Sequence, residues 1–474
     1  MANGTDGRVR SRALSLTTGL PGGDQVGSCP MTAARSAGRG GAASRLAGGM
    51  LLSLAVACPA FAQVQPPVRT VQPPEGAVID DPQRIYGDDS ESFSPLAIVG
   101  ALGLTAYAGL VTEYSDNVAR VGNGRSLSPR FESKDDWIFR PGAGVSFNRA
   151  VGGNNISGTA SIGRSYYARN SHLNKNRFSL AGSADIGLGQ ACSSTLRVGW
   201  SRRDSQKDSF EEVISSQSTR TTMGGSVGCS TQAGISGSVG YNRSSVRNDS
   251  SDPDFDRSFA DVNSQSAVGS LGYRVGLRGQ VGVSTSWGQN TYINQYVNGI
   301  RNQNEIRTVS GFASYRIGNT LSASGSIGKT KLTSNIEGAT GFSGTTWSLG
   351  ASYTGPRMGA NISMGQGVNG GRGASANYSV SRFASISGSY RANDKLSVST
   401  GYSHSRSTFQ GISEIPETEI SSRNINDRVF VGANYTLNSI LRLGLDLNHH
   451  RRSSTPSDFG YKVNSVVFSV RARI

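Results

Sequence analysis

The last fourteen residues constrain this chain most. From Tyr461 to Ile474, the residues Val466, Phe468, Val470, Ala472 and Ile474 are apolar, while Ser465, Ser469, Arg471 and Arg473 between them are polar. Side chains alternate faces along a strand, so this segment has one greasy face and one wet, cationic face. A strand of that kind at the end of a chain is how transmembrane barrels of the bacterial outer membrane close.

Composition agrees. Of the 474 residues only 36% are hydrophobic and 17% charged, and glycine numbers 62. That is poor material for a packed α/β core and good material for a sheet whose inner face meets water. After the first 62 residues no segment approaches the roughly 20 apolar residues of a membrane helix, and Leu96 to Leu104 is the longest candidate.

Residues 1–62 read as a targeting region, with Met31 as the expected start and a signal over about 31–62. Arg35, Arg39 and Arg45 form its basic part, Met50 to Val56 its apolar core, and Ala60-Phe61-Ala62 the small-x-small cleavage site. Cys58, after Ala55-Val56-Ala57, is an alternative lipid attachment site, disfavoured by Pro59. Removing 1–62 takes six Arg and two Asp and leaves 41 basic and 30 acidic residues. Residues 63–100 carry a net charge of −4, so residues 101–474 hold +15. A basic body usually suggests nucleic acid. A secretory signal argues against that partner and for acidic glycans or lipopolysaccharide phosphates.

Residues 63–100 form a linker that repeats Val-Gln-Pro-Pro at 64–67 and 71–74, favouring extended, unpacked chain. From Leu104 onward, alternating segments of about ten residues are separated by short Gly/Asn/Asp turns and longer polar stretches. Short connections near 150–154, 189–192, 229–233, 275–277, 318–319, 355–358, 391–395 and 438–439 alternate with long ones. The long ones lie near 115–135, 169–174, 204–218, 249–262, 293–303, 334–343, 369–373, 409–424 and 453–459. The expectation is therefore an all-β, antiparallel up-and-down transmembrane barrel of 18 strands over 101–474, preceded by a disordered N-terminal segment. Sixteen strands is the fallback, because 355–375 is Gly-rich.

Parity assigns the faces. Leu441, Leu443, Leu445 and Leu447 oppose Arg442, Gly444, Asp446 and Asn448. Leu196, Val198 and Trp200 oppose Arg197, Gly199 and Ser201. A soluble sandwich alternates too; the signal, the terminal strand and the unbroken pattern favour the membrane. Trp137 and Trp347 are expected to open strands after long loops, and Trp200 and Trp287 to close strands before them. All four then form an outer aromatic girdle.

Chemistry is sparse. Cys192 and Cys229 fall at short turns whose strands are neighbours, and the envelope is oxidising, so a disulfide is expected. Gly224-Gly225-Ser226-Val227-Gly228 fits G-x-S-x-G but lies in a Gly/Ser-rich strand and not at a strand-to-helix elbow. Gly328-Lys329-Thr330 lacks the leading glycine of a phosphate loop. His172, His404, His449 and His450 show no metal spacing. No catalytic set, metal or cofactor is implied.

What remains is the lumen. Arg140, Arg197, Arg274, Arg316, Arg442, Arg471 and Arg473 fall on the wet face by parity. Guanidinium groups stay charged and fork two hydrogen bonds onto a carboxylate, so a lumen lined with them favours anions. The bland reading pairs each with a lumenal Asp or Glu. The acidic linker has two readings: a plug for the basic lumen mouth, and a docking tail for a periplasmic partner.

Tyr114-Ser115-Asp116-Asn117-Val118, then Asp136-Trp137-Ile138 with Pro141-Gly142, then Tyr166-Tyr167-Ala168-Arg169-Asn170-Ser171-His172-Leu173-Asn174, give the chain a family likeness. Over roughly 100–474 it resembles the second-type beta-barrel porin family of alphaproteobacteria, which is associated with exopolysaccharide production and export loci. The resemblance implies a barrel that takes part in export of an acidic exopolysaccharide, as a cationic conduit or its accessory. Such barrels commonly end in Phe or Trp, and this chain ends in Ile474. The competing expectations are a general anion-preferring diffusion porin and a structural or adhesive surface barrel. Expected partners are outer-membrane lipid and lipopolysaccharide, the barrel assembly machinery, acidic polysaccharide and periplasmic export components, with no nucleic acid.

Overall fold

The computed structural model describes residues 103–474, apart from 123–125, 209–212, 251–257, 371–375, 412–422, 456–459 and 474. The signal, the linker and the terminal residue Ile474 lie outside the described residues. The strands are β1 (Leu104–Ser115), β2 (Asp136–Val151), β3 (Asn154–Tyr167), β4 (Lys175–Leu188), β5 (Cys192–Asp208), β6 (Val213–Ser230), β7 (Ile235–Ser250), β8 (Val262–Val275) and β9 (Gly279–Val297). They continue as β10 (Ile300–Ile317), β11 (Leu321–Ser334), β12 (Phe342–Thr354), β13 (Met358–Gly370), β14 (Ala376–Arg391), β15 (Leu396–Gly411), β16 (Arg423–Thr436), β17 (Leu441–Thr455) and β18 (Tyr461–Arg473).

Each strand pairs antiparallel with its sequence neighbours, and β1 pairs with β18, from Tyr107↔Arg473 to Ser115↔Ser465. The 18-stranded sheet is therefore closed and has no edge. Odd-to-even connections are mostly long and even-to-odd ones short, so all short turns and the start of β1 share one end. Short turns mark the periplasmic side of such barrels; that end is called lower here.

The outer face is apolar along the strands. Leu180 is 58% exposed, and Val239, Val309 and Ile327 are each 64% exposed. Aliphatic surface bared on that scale is unfavourable in water by about 25 cal/mol per Å² and costs nothing in hydrocarbon. The outer face ends below in tyrosines. Tyr273, Tyr315, Tyr353, Tyr390 and Tyr435 lie within two residues of the lower ends of β8, β10, β12, β14 and β16. Phenols placed there keep their rings in the acyl region and their hydroxyls wet.

Glycines serve the wall at specific places. At Gly144 a Cβ would collide with the Tyr107 ring, and at Gly282 with the Phe312 ring, so each glycine lets an inner aromatic lie flat on the sheet.

Two expectations are corrected. The stretch 293–303 is not a loop: β9 and β10 continue above the membrane band and meet in a two-residue turn at Asn298 and Gly299, with φ of 51° and 77°. Asn-Gly tolerates both positive φ values, and that turn matches strand twist. For the same reason Trp200 and Trp287 do not close their strands, since β5 and β9 run on to Asp208 and Val297. Trp347 likewise lies inside β12, and Trp137 opens β2.

Candidate functional site: the lumen

The inner wall is built from small hydroxyls. Ser157–Ser183, Ser161–Ser179, Ser238–Ser270, Ser284–Ser310, Ser326–Ser348, Ser363–Ser385 and Ser381–Ser407 pair Oγ to Oγ across neighbouring strands at 2.6–2.8 Å. Thr308, Thr330 and Thr346 continue the pattern over three strands at 2.9 and 2.8 Å. Short side chains keep the wall thin, and hydroxyls hydrogen-bonded to each other leave spare lone pairs for passing polar groups. The sequence carries a signal for this, Ser or Thr at alternate positions opposite apolar residues, as in Ser322, Ser324 and Ser326.

The cations fall into two tiers. Arg274, Arg316, Arg442, Arg471 and Arg473 stand on the inner face within two residues of the lower ends of their strands, and Arg442 and Arg471 are direct cross-strand partners. They belong to the lower mouth. Arg197 stands higher, five residues above Cys192. Arg140 stands 11 residues above Val151, and at its level lie three further arginines of inward parity outside the predicted seven. Arg177, Arg203 and Arg220 stand 11, 11 and 10 residues above the lower ends of β4, β5 and β6. The seven predicted arginines thus do not make one ring. The structure joins Arg140 to a different set.

The upper tier has acidic company. Arg140 donates to Glu113 at 2.5 Å, with both side chains nearly buried. Asp204 accepts from Ser165 Oγ at 2.8 Å and lies in the field of Arg177, Arg140 and Lys175. Tyr107, Arg140, Arg177 and Arg203 line one small recess of about 70 Å³. Pro141, which has no N–H, interrupts the β2–β3 ladder beside it, where pairing skips from Phe139↔Tyr166 to Gly142↔Gly163.

Two segments pack on the inner wall above this tier. Residues 116–122, 126–135 and 168–174 lie over the top of β1–β3, where Val118, Ala119, Phe131 and Leu173 pack on the inward-facing Ile138 and Tyr167. Polar side chains pin these segments. Asn170, fully buried, donates from its backbone N and its Nδ2 to Asp136 Oδ2 at 2.9 Å, and its Oδ1 accepts from the Glu132 N–H at 3.0 Å. Asn117 Nδ2 donates to the Val121 and Lys462 carbonyls at 3.0 and 2.8 Å. In the same loop Ser133 Oγ and Arg169 each donate to Asp135 at 2.7 Å and, the hydroxyl first, hold its carboxyl below the usual 3.8.

The second segment is the top of β13 and β14. The β12–β13 ladder stops at Trp347↔Gln366, although β12 reaches Phe342 and β13 reaches Gly370. Above that point Val368, Tyr378 and Val380 pack on Leu332, Ile306 and Phe342, which face inward from β11, β10 and β12. The top of β13 therefore parts from β12 and, with β14 still paired to β15 up to Ala376↔Gly411, folds against the inside of the wall. Asn304 Nδ2 donates to the Asn377 carbonyl at 2.9 Å, and Asn377 Nδ2 donates to the Thr340 carbonyl at 2.7 Å. The bulge at Ala376–Tyr378 supplies the bend.

Other candidates find plain places. Cys192 and Cys229 are cross-strand partners at the lower end of β5 and β6 and form a disulfide on the outer face. Gly224 to Gly228 lies inside β6, away from any strand-to-helix elbow. Trp137, Trp200, Trp287 and Trp347 have outward parity, and Trp287 Nε1 donates to Glu305 at 3.0 Å. His404 sits on the outer face against Asp427 at 2.7 Å.

A closed antiparallel barrel, apolar without and polar within, pairs its backbone groups strand to strand as lipid requires and defines a porin-like β-barrel of the bacterial outer membrane. No family model matches the chain, and no curated protein sequence matches it. Among solved structures it is similar to OccK2 (OpdF) of Pseudomonas aeruginosa, at 13% identity over 78% of this chain and 98% of that one, with a TM-score of 0.44. It is similar to opdK of the same organism, at 14% identity over 78% and 99%, with a TM-score of 0.41. It is also similar to the FrpB iron transporter of Neisseria meningitidis, at 9% identity over 74% and 62%, with a TM-score of 0.44.

Proposed function

We propose that the protein is a passive outer-membrane channel for anionic, hydroxyl-rich solutes, with acidic saccharides as the substrate class. The observation that carries this reading is the upper arginine tier, in which Arg177, Arg203 and Arg220 stand at the level of the nearly buried Arg140–Glu113 pair, set in a wall of paired Ser and Thr hydroxyls. Guanidinium groups attract and orient carboxylates, and the hydroxyl wall exchanges hydrogen bonds with sugar hydroxyls at little net cost. The arginines at the lower mouth extend the field to the periplasmic entrance. Contacts stay weak and multiple, as conduction requires. The role asks for no nucleophile, metal or cofactor.

The test is the reversal potential of the purified channel in a planar bilayer under a potassium chloride gradient. The expected sign is that of chloride preference, and a cation-selective pore would overturn the reading. Export of an acidic exopolysaccharide is the more specific form of the same proposal. It is supported by the resemblance carried by the Tyr114–Val118 and Tyr166–Asn174 motifs, which in this structure hold the loops over the bore. A clean deletion separates the two: loss of secreted polymer supports export, and normal polymer with slower uptake of small anions supports a diffusion channel.

A further inference from the structure

The basic excess that the sequence directs to the lumen is shared with the outside of the barrel. Arg164, Arg243, Lys329, Arg382, Arg406 and Arg451 all have the parity of the exposed aliphatic residues on their strands, and all are exposed. They stand 10, 8, 8, 9, 10 and 10 residues above the lower ends of β3, β7, β11, β14, β15 and β17. A strand rises about 3.3 Å per residue and tilts about 40°, so 8 to 10 residues climb roughly 20–25 Å. The apolar band of such barrels is about 25 Å tall. The six cations therefore emerge together at its upper edge, as a collar around the barrel. At the lower edge the matching outer positions carry the tyrosines described above, with Arg149 the strand cation there.

Acids on its own face balance the collar only in part. Among the described residues, Glu305 pairs with Arg307, Asp249 faces Arg202 at 3.7 Å, and Asp427, held by His404 and Tyr402, stands directly across the ladder from Arg451 and offsets that one cation. Beneath Arg164 the wall is concave. Gly109, Pro141, Ala143, Gly163 and Phe178 line an apolar furrow of about 860 Å³ across β18, β1, β2, β3 and β4, with Arg164 at its edge. Arg164 also lies over the Tyr166 ring at 4.9 Å, which fixes the guanidinium at that height.

We infer that this collar is a binding surface for the phosphorylated glycolipid of the outer leaflet, with phosphates on the arginines and lysines and an acyl chain in the furrow beneath Arg164. Charge complementarity selects the occupant. Several cations at headgroup height, on one leaflet only, match a lipid with more than one phosphate, and arginine forks onto phosphate bidentately. A second copy of the chain fits poorly, because it would set one collar against another with few acids to meet it. The inference is independent of what the lumen conducts.

The experiment uses the full-length barrel in detergent, titrated with diphosphoryl lipid A and with the same lipid dephosphorylated, and read by native mass spectrometry. The phosphorylated lipid is expected to bind at least tenfold more tightly. That preference is expected to fall in 1 M salt, where screening shortens to about 3 Å, and to disappear when Arg164, Arg243, Lys329, Arg382, Arg406 and Arg451 are all changed to Gln. Heat-modifiable migration shows whether that variant is assembled. If it is not, single Lys329→Gln and Arg382→Gln variants must each weaken binding by a measurable step. Equal binding of the two lipids would overturn the inference. So would an unchanged preference in the substituted barrel, or collar-dependent dimers in place of bound lipid.

Discussion

At the scale of single residues, what distinguishes this barrel is a set of buried asparagines and aspartates that hold loops in place. Asn170 is the clearest. It satisfies two backbone donors of residues 132–133 through Oδ1, and its own donors reach the Ser133 carbonyl and Asp136. Asn170→Ala leaves those groups without partners in a site that water barely enters, which costs about 1–3 kcal/mol. The expected outcome is a barrel that still resists heat but loses its loop: faster proteolytic cleavage within 116–135 at unchanged barrel melting. Equal cleavage of wild type and variant would remove Asn170 from this role. The motif containing Asn170 was legible as a likeness of sequence. Its partners were not, because Asp136 lies 34 residues away at the start of β2 while Asn170 sits in the connection after β3.

At the scale of elements, the strands were countable because each carries its own period of two and because turns and loops alternate. The β13–β14 hairpin was not, and the Gly-rich region around it is where the count was weakest. Its sequence alternates like the rest; only the partner surface of Ile306, Leu332 and Phe342 explains why it turns inward. Deleting residues 368–378 and joining the stumps is expected to raise single-channel conductance severalfold while the 18-stranded wall stays closed. Conductance equal to the parent would mean that the hairpin does not narrow the bore. The Cys192–Cys229 bond, by contrast, followed from turn positions alone, since neighbouring strands bring their lower ends together. Cys192→Ser is expected to lower stability to urea by about 2–4 kcal/mol and to abolish the shift in gel migration on reduction. A variant as stable as the parent would make the bond incidental.

At the scale of the whole molecule, charge is sorted by both height and face. Arginines face the lumen at the lower mouth and at the upper tier, while a further set stands outside at the upper edge of the apolar band. If the upper tier sets selectivity, changing Arg140, Arg177, Arg203 and Arg220 together to Gln should move the reversal potential toward zero. The collar substitutions should leave it unchanged. In 1 M salt, where screening shortens to about 3 Å, the two channels should converge. Selectivity lost by the collar variant and kept by the lumenal one would invert the assignment.

Period-two alternation and turn spacing determined by themselves that this chain makes an up-and-down outer-membrane barrel, of 18 strands or, by the fallback count, 16, and which face of each strand is wet. These are local properties, carried by neighbours along the chain. Tertiary structure alone decided height: which arginines share a level, where β13 parts from β12, and which loop residues pack on the inner wall. Height depends on register between strands and on contacts between residues far apart in sequence, and no single strand encodes either.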